Sequence, residues 1–142
     1  MSGNCVFCSI VDGDLPSRTV YEDDTVVAFL DANPLAPGHT LVVPKAHHVR
    51  LNDLPADLAA DLFAAIHRLT PAVEAAVDAD ASNVAFNNGS AAGQEVDHVH
   101  GHVVPRFEGD GGRPIHAVAG TPPDLSEGEL DAIAADIDAQ VQ

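Results

Sequence analysis

The chain has 142 residues, and 6 Lys and Arg against 22 Asp and Glu give it a formal net charge of −16. That charge excludes nucleic acid polymers as natural partners, because one polyanion repels another. No apolar run approaches the roughly 20 residues of a membrane helix, and the N-terminus has no basic segment followed by an apolar stretch. We therefore expect one cytoplasmic domain over residues 1–142, with no membrane partner.

The acidic residues are unusual in kind as well as in number. Most of them are Asp, and Lys45 is the only lysine. Short, strongly hydrated carboxylates with almost no lysine favour a surface adapted to high salt, where screening removes the self-repulsion of the chain.

The first two thirds of the chain predict strands around one long helix. Residues 20–30 predict two strands that meet at a turn, and residues 40–43 predict a third strand, which Pro44 ends. One apolar stripe at helical spacing follows, formed by Leu58, Leu62, Ile66, Leu69, Val73 and Val77. Residues 84–87 and 95–105 predict two more strands.

A final helix is predicted to begin at Ser126, with Glu129 completing a capping box. Its apolar stripe consists of Leu130, Ile133, Ile137 and Val141. Strands with one long inserted helix and a C-terminal helix predict an α+β fold with an antiparallel sheet.

Three histidines at alternate positions carry the strongest chemical signal. His98, His100 and His102 would share one face of a strand, about 6.6 Å apart along the chain. Packing does not explain three imidazoles in a row, because each one needs hydrogen-bond partners. Either they chelate a transition metal, or one acts as a nucleophile or acid–base group whose tautomer its neighbours fix.

The loop before the histidines favours the second interpretation. Residues 87–94 read Asn-Asn-Gly-Ser-Ala-Ala-Gly-Gln, and backbone N–H groups of such a small-residue loop can converge on an anion. A phosphate site beside a row of histidines indicates phosphoryl or nucleotidyl transfer through a histidine.

These segments together resemble the histidine triad (HIT) family over nearly the whole chain. The triad itself, His98-Val99-His100-Gly101-His102-Val103-Val104, follows the family motif of histidines that alternate with apolar residues. Four other segments resemble family signatures in the right order: 5–17, 27–31, 38–45 and 87–94. The resemblance implies a HIT-like α+β fold.

The resemblance also implies roles for the histidines. His100 would be the nucleophile that attacks the α-phosphorus of a nucleotide, and His102 and His39 would orient or polarise around it. His98 would give a proton to the leaving group, unless it binds a metal. The chemistry needs no cofactor, because the neutral imidazole itself makes the attack.

Other positions would bind the nucleotide. Gln94 and the N–H groups of the loop, which includes Gly93, would hold phosphate oxygens. Asp31 would accept hydrogen bonds from the ribose, and Asn87 would touch the phosphate or the leaving group. Ile10, Phe7 and Phe29 would enclose the base.

Glu95 departs from the family pattern, in which some members carry a phosphate-contacting Ser. An inward carboxylate would repel phosphate, so we expect Glu95 to face outward. Gly101 also replaces a usual apolar residue.

Cys5 and Cys8 form a Cys-x-x-Cys pair, which is compatible with a metal site, two free thiols or a redox pair. Some family members hold a structural zinc with this pair and two histidines, which here would be His47 and His98. A zinc-bound His98 could not also donate a proton to the leaving group.

The resemblance implies a hydrolase or nucleotidyl transferase that acts on purine nucleotide conjugates, such as AMP joined to an amine. A diadenosine polyphosphate hydrolase and a non-catalytic nucleotide- or metal-binding module are the alternatives. The family also implies a homodimer.

Overall fold

The fold is known from a computed structural model that describes residues 4–141. The chain forms two compact units, Met1–Gly112 and Arg113–Gln142. The described helices are α1 (Val6–Val11), α2 (Ala56–Val77) and α3 (Glu127–Val141). The strands are β1 (Thr19–Glu22), β2 (Val26–Leu30), β3 (Thr40–Pro44), β4 (Ala81–Ala85) and β5 (Gly101–Arg106).

The first unit is built on a five-stranded sheet in the order β1-β2-β3-β5-β4. Every neighbouring pair is antiparallel. The β1–β2 hairpin and β3 lie where the sequence predicts them, and α2 is the long inserted helix. The predicted α+β class with an antiparallel sheet is confirmed.

The central strands bury side chains on both faces of the sheet. On one face, Val26, Ala28 and Val42 pack with the stripe of α2 that contains Leu62 and Ile66. On the other face, a smaller cluster packs Phe7 of α1 on the strands; its remaining buried members are Val27, Phe29, Leu41 and Val43. Each fully buried aliphatic or aromatic side chain contributes about 1.5–3 kcal/mol, so α2 anchors the sheet and leaves the α1 face for a site.

The strand predicted over residues 95–105 is shorter than expected, because β5 begins only at Gly101. The residues before it bond to loops instead of a neighbouring strand. The Gln94 side chain donates to the Val96 carbonyl (3.0 Å), and the Val99 N–H donates to the His48 carbonyl (2.8 Å). Burial alternates only from Val99 onward, since Val99 and Gly101 are buried while His100 is half-buried; His98 is fully buried as well.

The second unit contains α3, and its predicted capping box is present. The Ser126 hydroxyl accepts from the Glu129 N–H (3.1 Å), while the Glu129 carboxylate accepts from the Ser126 N–H (3.0 Å). The predicted stripe of α3 is exposed at Leu130, Ile133, Ile137 and Val141. Within residues 4–141, no helix is both long and apolar enough to cross a membrane.

Candidate active site

A cavity of about 530 Å³ opens on the α1 face of the sheet. Three predicted catalytic histidines and most predicted nucleotide-binding residues line it: His39, His100, His102, Phe7, Ile10, Phe29, Asp31, Asn87 and Gly93. A second hollow of about 540 Å³ surrounds Tyr21, Asp23 and Arg68, and its lining residues include no histidine. The chemistry therefore concentrates in the first cavity.

His100 is held in a single tautomer by the backbone. Its Nδ1 lies 2.8 Å from the His98 carbonyl oxygen, which can only accept, so Nδ1 carries a proton. In the neutral ring the other nitrogen, Nε2, then has a free lone pair. The ring edge-packs on Phe7, with centroids 5.0 Å apart, which fixes its orientation in the cavity.

His39 and His102 form a hydrogen-bonded pair in which His39 is the donor. The Leu35 N–H donates to His39 Nδ1 (3.1 Å), so the proton of neutral His39 sits on Nε2. That Nε2 lies 2.9 Å from His102 Nδ1 and donates to it. The proton of neutral His102 is therefore on its own Nε2.

The His102 Nε2 atom is buried, and among the described residues it has no hydrogen-bond partner. An unpaired buried donor costs about 1–3 kcal/mol, so its persistence calls for a ligand acceptor in the cavity. His102 thus presents an N–H next to the free lone pair of His100, whose ring centroid is 5.0 Å away.

Both members of the pair are held neutral. Burial lowers the pKa of His39, and the nearby Asp31 carboxylate (3.7 Å) opposes this without reversing it. Burial, helped by the neighbouring imidazoles of His100 and His39, lowers the pKa of His102 to about 4. We call His39, His100 and His102 the histidine cluster.

His98 does not belong with these three, although the sequence suggests a catalytic role for it. Its ring is fully buried and does not line the cavity. Its Nε2 donates to the Pro44 carbonyl (2.8 Å), so its Nδ1 has the lone pair. That Nδ1 faces the Cys5 and Cys8 sulfurs at 3.3 and 3.5 Å. His98 therefore has no proton to offer a leaving group in the cavity.

Cys5, Cys8, His47 and His98 form a second group, which we call the thiol cluster. One ligand atom from each lies within 4.8 Å of all the others. Cys8 Sγ is 3.3 Å from His47 Nδ1, and burial is the main cause that raises the pKa of the Cys5 thiol.

The donor set of the thiol cluster fits zinc. Two ligands at about 2.0–2.3 Å from a tetrahedral ion lie about 3.5 Å from each other, close to the distances found here. His98 also has the arrangement typical of zinc ligands, with its second nitrogen bonded to a backbone carbonyl.

The loop before the histidines is braced from within, and this corrects the phosphate cradle expected of it. The Gln94 side chain accepts from the Gly89 N–H (2.8 Å) and donates to the Val49 carbonyl (2.6 Å), so it points away from the cavity. The N–H groups of Ala92, Gly93 and Gln94 also donate inside the loop. Gln94 therefore positions the loop, and Asn87 is the loop side chain on the cavity wall.

Glu95 is the second correction. It was expected to face away from the site, but it lines the cavity between Gly93 and Val96. Its side chain makes no hydrogen bond or ion pair within the part of the chain that the structure describes. Arg18 and Asn33 also line the cavity without being predicted; the one available signal was that Arg18 is a rare cation in an acidic chain.

Comparison with known proteins agrees with this geometry. The HIT domain profile matches residues 12–109. An uncharacterized HIT-like protein of Methanocaldococcus jannaschii is 48% identical over 107 residues, which are 75% of this chain and 82% of that one.

Two relatives carry enzyme names. The adenosine 5'-monophosphoramidase HNT1 of Saccharomyces cerevisiae is 41% identical over 102 residues, 72% of this chain and 62% of the yeast protein. The adenylylsulfatase HINT3 of Arabidopsis thaliana is 39% identical over 110 residues, 78% of this chain and 56% of the plant protein.

Solved structures share the fold. The protein SMU.412c of Streptococcus mutans matches with a TM-score of 0.89 and 39% identity, over 99% of this chain and 87% of that one. A Zn-bound histidine triad family protein of Mycobacterium smegmatis matches with a TM-score of 0.73 and 40% identity, over 99% of both chains. With its HIT-like fold and its triad of histidines, the chain belongs to the histidine triad family.

Proposed function

We propose that this protein hydrolyses or transfers the nucleotidyl group of a purine nucleotide conjugate, in particular AMP joined to an amine, through a covalent bond to His100. One observation carries the proposal. The backbone leaves His100 Nε2 with a lone pair in the cavity, and the adjacent His102 Nε2–H lacks an acceptor among the described residues.

In the first step, His100 Nε2 forms a bond to the α-phosphorus while the bond from phosphorus to the amine nitrogen breaks. The amine leaves with the electron pair of that bond and takes a proton from water at the open side of the cavity. The buried His102 N–H donates to a phosphate oxygen, where negative charge builds up in the transition state.

In the second step, the oxygen of a water molecule bonds to phosphorus and displaces His100, and the water proton passes to solvent. AMP is released and His100 regains its lone pair. Another acceptor in place of water would give nucleotidyl transfer through the same intermediate.

The remaining cavity residues fit the rest of the nucleotide. Ile10, Phe7 and Phe29 supply an apolar wall for the base. Asp31 already accepts from the Asn33 N–H (2.8 Å) at one oxygen, and its other oxygen is available to a ribose hydroxyl. Asn87, a loop residue that lines the cavity, would meet the phosphate or the leaving group.

The named relatives support this substrate class. One is named for acting on adenosine 5'-monophosphoramidate and the other for acting on adenylylsulfate. A shared adenylyl group with different leaving groups suits a site whose nucleophile attacks the α-phosphorus.

The test is to incubate the protein with AMP phosphoramidate that carries ³²P at the α-phosphorus, and to quench without acid. We expect label on wild-type protein and none on His100→Ala, whose kcat should fall by at least about 10⁴-fold, as for other enzymes that lose their nucleophile. His67→Ala, which removes an exposed histidine of α2, is the matched control and should label like wild type.

Normal turnover by His100→Ala would refute the covalent route. Nucleotide binding by wild type with no label and no single-turnover product would favour a binding module instead.

We further propose that the thiol cluster holds a structural zinc. The ligand spacing and the tautomer of His98 support it, as does the Zn-bound relative from M. smegmatis. Zinc would fix α1, which contains Cys8 and begins directly after Cys5, against the segments that bear His47 and His98. Zinc content measured on protein purified without chelator tests this, with Cys5→Ser/Cys8→Ser as the control.

The proposal includes a HIT domain that forms a homodimer in the cytoplasm. Cys5 and Cys8 are not joined in a disulfide, which suits a reducing compartment. The edge strand β4 leaves Val84 exposed, and Phe63 of α2 is exposed nearby against Phe86, with ring centroids 5.5 Å apart. Sedimentation of wild type and Phe63→Asp tests the dimer: we expect twice the chain mass for wild type and one chain mass for the variant.

A further inference from the structure

Glu95 carries a carboxylate at the cavity, where a negative charge would repel the phosphate of a nucleotide. It lines the cavity together with His100 and Asn87, yet it is exposed and has no polar partner within residues 4–141. Asp31, the other acidic residue of the wall, is engaged by the Asn33 N–H and lies near His39. Glu95 is thus the lining carboxylate that has no polar partner within residues 4–141.

The position of Glu95 indicates which part of a ligand it would meet. Glu95 follows the loop that contains Gly93, and a Cβ built on Gly93 would lie 3.8 Å from the Asn87 amide nitrogen. Gly93 and Asn87 are therefore neighbours in the cavity wall formed by the loop, and Glu95 follows Gly93 by two residues in the same wall. Asp31 belongs to another wall, reached from the end of β2.

Within residues 4–141, Arg18 is the only arginine that lines the cavity, and it lies on the Asp31 side. The Arg18 carbonyl accepts from the Leu30 N–H (3.1 Å), so the main chain at Arg18 lies beside the end of β2, next to Asp31. The guanidinium of Arg50 lies beside Gly89 of the loop, but Arg50 does not line the cavity. Among the lining residues, the cation therefore lies on the Asp31 side and the unpaired anion on the loop side. A ligand whose far end is positive matches this distribution, and one whose far end is negative does not.

We propose that Glu95 is a specificity residue that selects conjugates whose leaving group carries a positive charge, such as AMP joined to one end of a diamine or to a basic amino acid. This rests on the proposed function, since it assigns the loop wall to the leaving group. Glu95 acts by attracting the distant ammonium of that group and by repelling carboxylate, sulfate or phosphate in its place. It takes no part in breaking the bond.

Three substrates of nearly equal size separate charge from shape. Each is AMP in phosphoramidate linkage to a four-carbon amine: butylamine, 1,4-diaminobutane or 4-aminobutanoate. The far end of the leaving group is then a methyl, an ammonium or a carboxylate. The variants are Glu95→Gln, which removes the charge at constant shape, and Glu95→Lys, which reverses it.

For wild type we expect kcat/KM to be highest with the diamine conjugate and lowest with the carboxylate conjugate. Two unit charges about 4 Å apart in water correspond to roughly a fivefold effect for each charged substrate, so the ratio of the two changes about 25-fold in Glu95→Gln. Glu95→Lys should reverse the order. The measurements use the lowest KCl concentration at which wild type is folded, since salt screens the pair.

Glu108→Gln is the matched control, because it makes the same charge change six residues beyond His102 and at a different hollow of the surface. It should leave the wild-type order and ratio in place. An unchanged ratio in Glu95→Gln, or the same change in Glu108→Gln, would overturn the assignment of specificity to Glu95.

The butylamine conjugate separates the two levels of the argument, because its leaving group has no charge for Glu95 to select. If wild type fails to hydrolyse it and the other two, the proposed function is wrong and this inference falls with it. If wild type hydrolyses all three at equal kcat/KM, the function stands and only the role of Glu95 is refuted.

Discussion

The thiol cluster and the histidine cluster take neighbouring histidines of one short run and prepare them in opposite ways. The Nε2–H of His98 donates a hydrogen bond to the Pro44 carbonyl, and the lone pair of its Nδ1 faces two sulfurs. The Nδ1–H of His100, two residues further along, donates a hydrogen bond to the His98 carbonyl. The lone pair of its Nε2 is therefore in the cavity.

The comparison teaches that the tautomer of each histidine is set by the ring nitrogen that donates a hydrogen bond to a backbone carbonyl. Side-chain type and spacing are the same for His98 and His100, and both rings pack on Phe7, with centroids 5.9 and 5.0 Å away. The separation of roles therefore comes from the main chain around Pro44 and His98. The histidine cluster should govern turnover, and the thiol cluster should govern stability.

After loss of the nucleophile His100 itself, the largest expected effect comes from removing the unpaired donor of the histidine cluster. His102→Phe keeps a planar ring and loses the Nε2–H, so kcat should fall by about 10²-fold, as for loss of one donor to a developing oxyanion. Steady-state kinetics on AMP phosphoramidate measure this, and zinc content should stay at the wild-type level. A kcat within twofold of wild type would break the division between the clusters.

The next effect concerns the backbone that carries both clusters. A Cβ at Gly101 would lie 2.8 Å from Phe86 Cζ and 3.0 Å from Ile66 Cδ1, so Phe86 fills the space that an apolar side chain would need. Gly101→Val should lower the free energy of unfolding by about 1–3 kcal/mol. Urea unfolding measures it, and adding Phe86→Leu should restore part of the loss. A Gly101→Val protein as stable as wild type would contradict this account.

Loss of the thiol cluster should give a smaller effect, and on stability first. Cys5→Ser/Cys8→Ser should contain no zinc and should melt about 5 °C lower, which corresponds to roughly 1 kcal/mol for a domain of this size. EDTA should lower the Tm of wild type before it lowers activity, and it should leave the Tm of the double variant unchanged. If activity fell in parallel with zinc content, the separation of the two clusters into a catalytic and a structural site would be contradicted.

The histidine cluster should also make stability depend on pH. An unfolded histidine takes up a proton near pH 6.5, whereas His102 in the folded chain does so only near its pKa of about 4. Between these values the unfolded state binds more protons, so this group makes the free energy of unfolding fall as the pH falls. Acidic side chains titrate in the same range. Their contribution is the same in wild type and in His102→Phe, so the difference between the two slopes reports His102. A slope no shallower in the variant than in wild type, in urea unfolding between pH 7 and pH 4.5, would contradict the buried neutral His102.

Local patterns predicted the elements that are stabilised by their own periodicity. The stripe of α2, the β1–β2 hairpin and the capping box at Ser126 depend on neighbours within a few residues, and all three are present. Three of the predicted catalytic histidines converge for the same reason, because His100 and His102 alternate with buried residues and β3 brings His39 alongside.

The sequence could not predict contacts between segments that are distant along the chain. Gln94 braces its loop through the Val49 carbonyl, 45 residues away, and His98 is separated from the cavity by a bond to the Pro44 carbonyl. Glu95 was expected to avoid the site because only its charge was considered. Its place on the cavity wall follows from the brace at Gln94, which fixes the direction of the chain just before it.

The alternation of the run from His98 to His102 has a consequence for how this protein can diverge. Exchanges of single residues leave each histidine facing its own partners. Insertion or deletion of one residue at Val99, however, would turn His98 or the pair of His100 and His102 toward the opposite side of the chain. The residues between the histidines can therefore change during evolution, but the number of residues from His98 to His102 must stay the same. Libraries for directed evolution should keep that number as well.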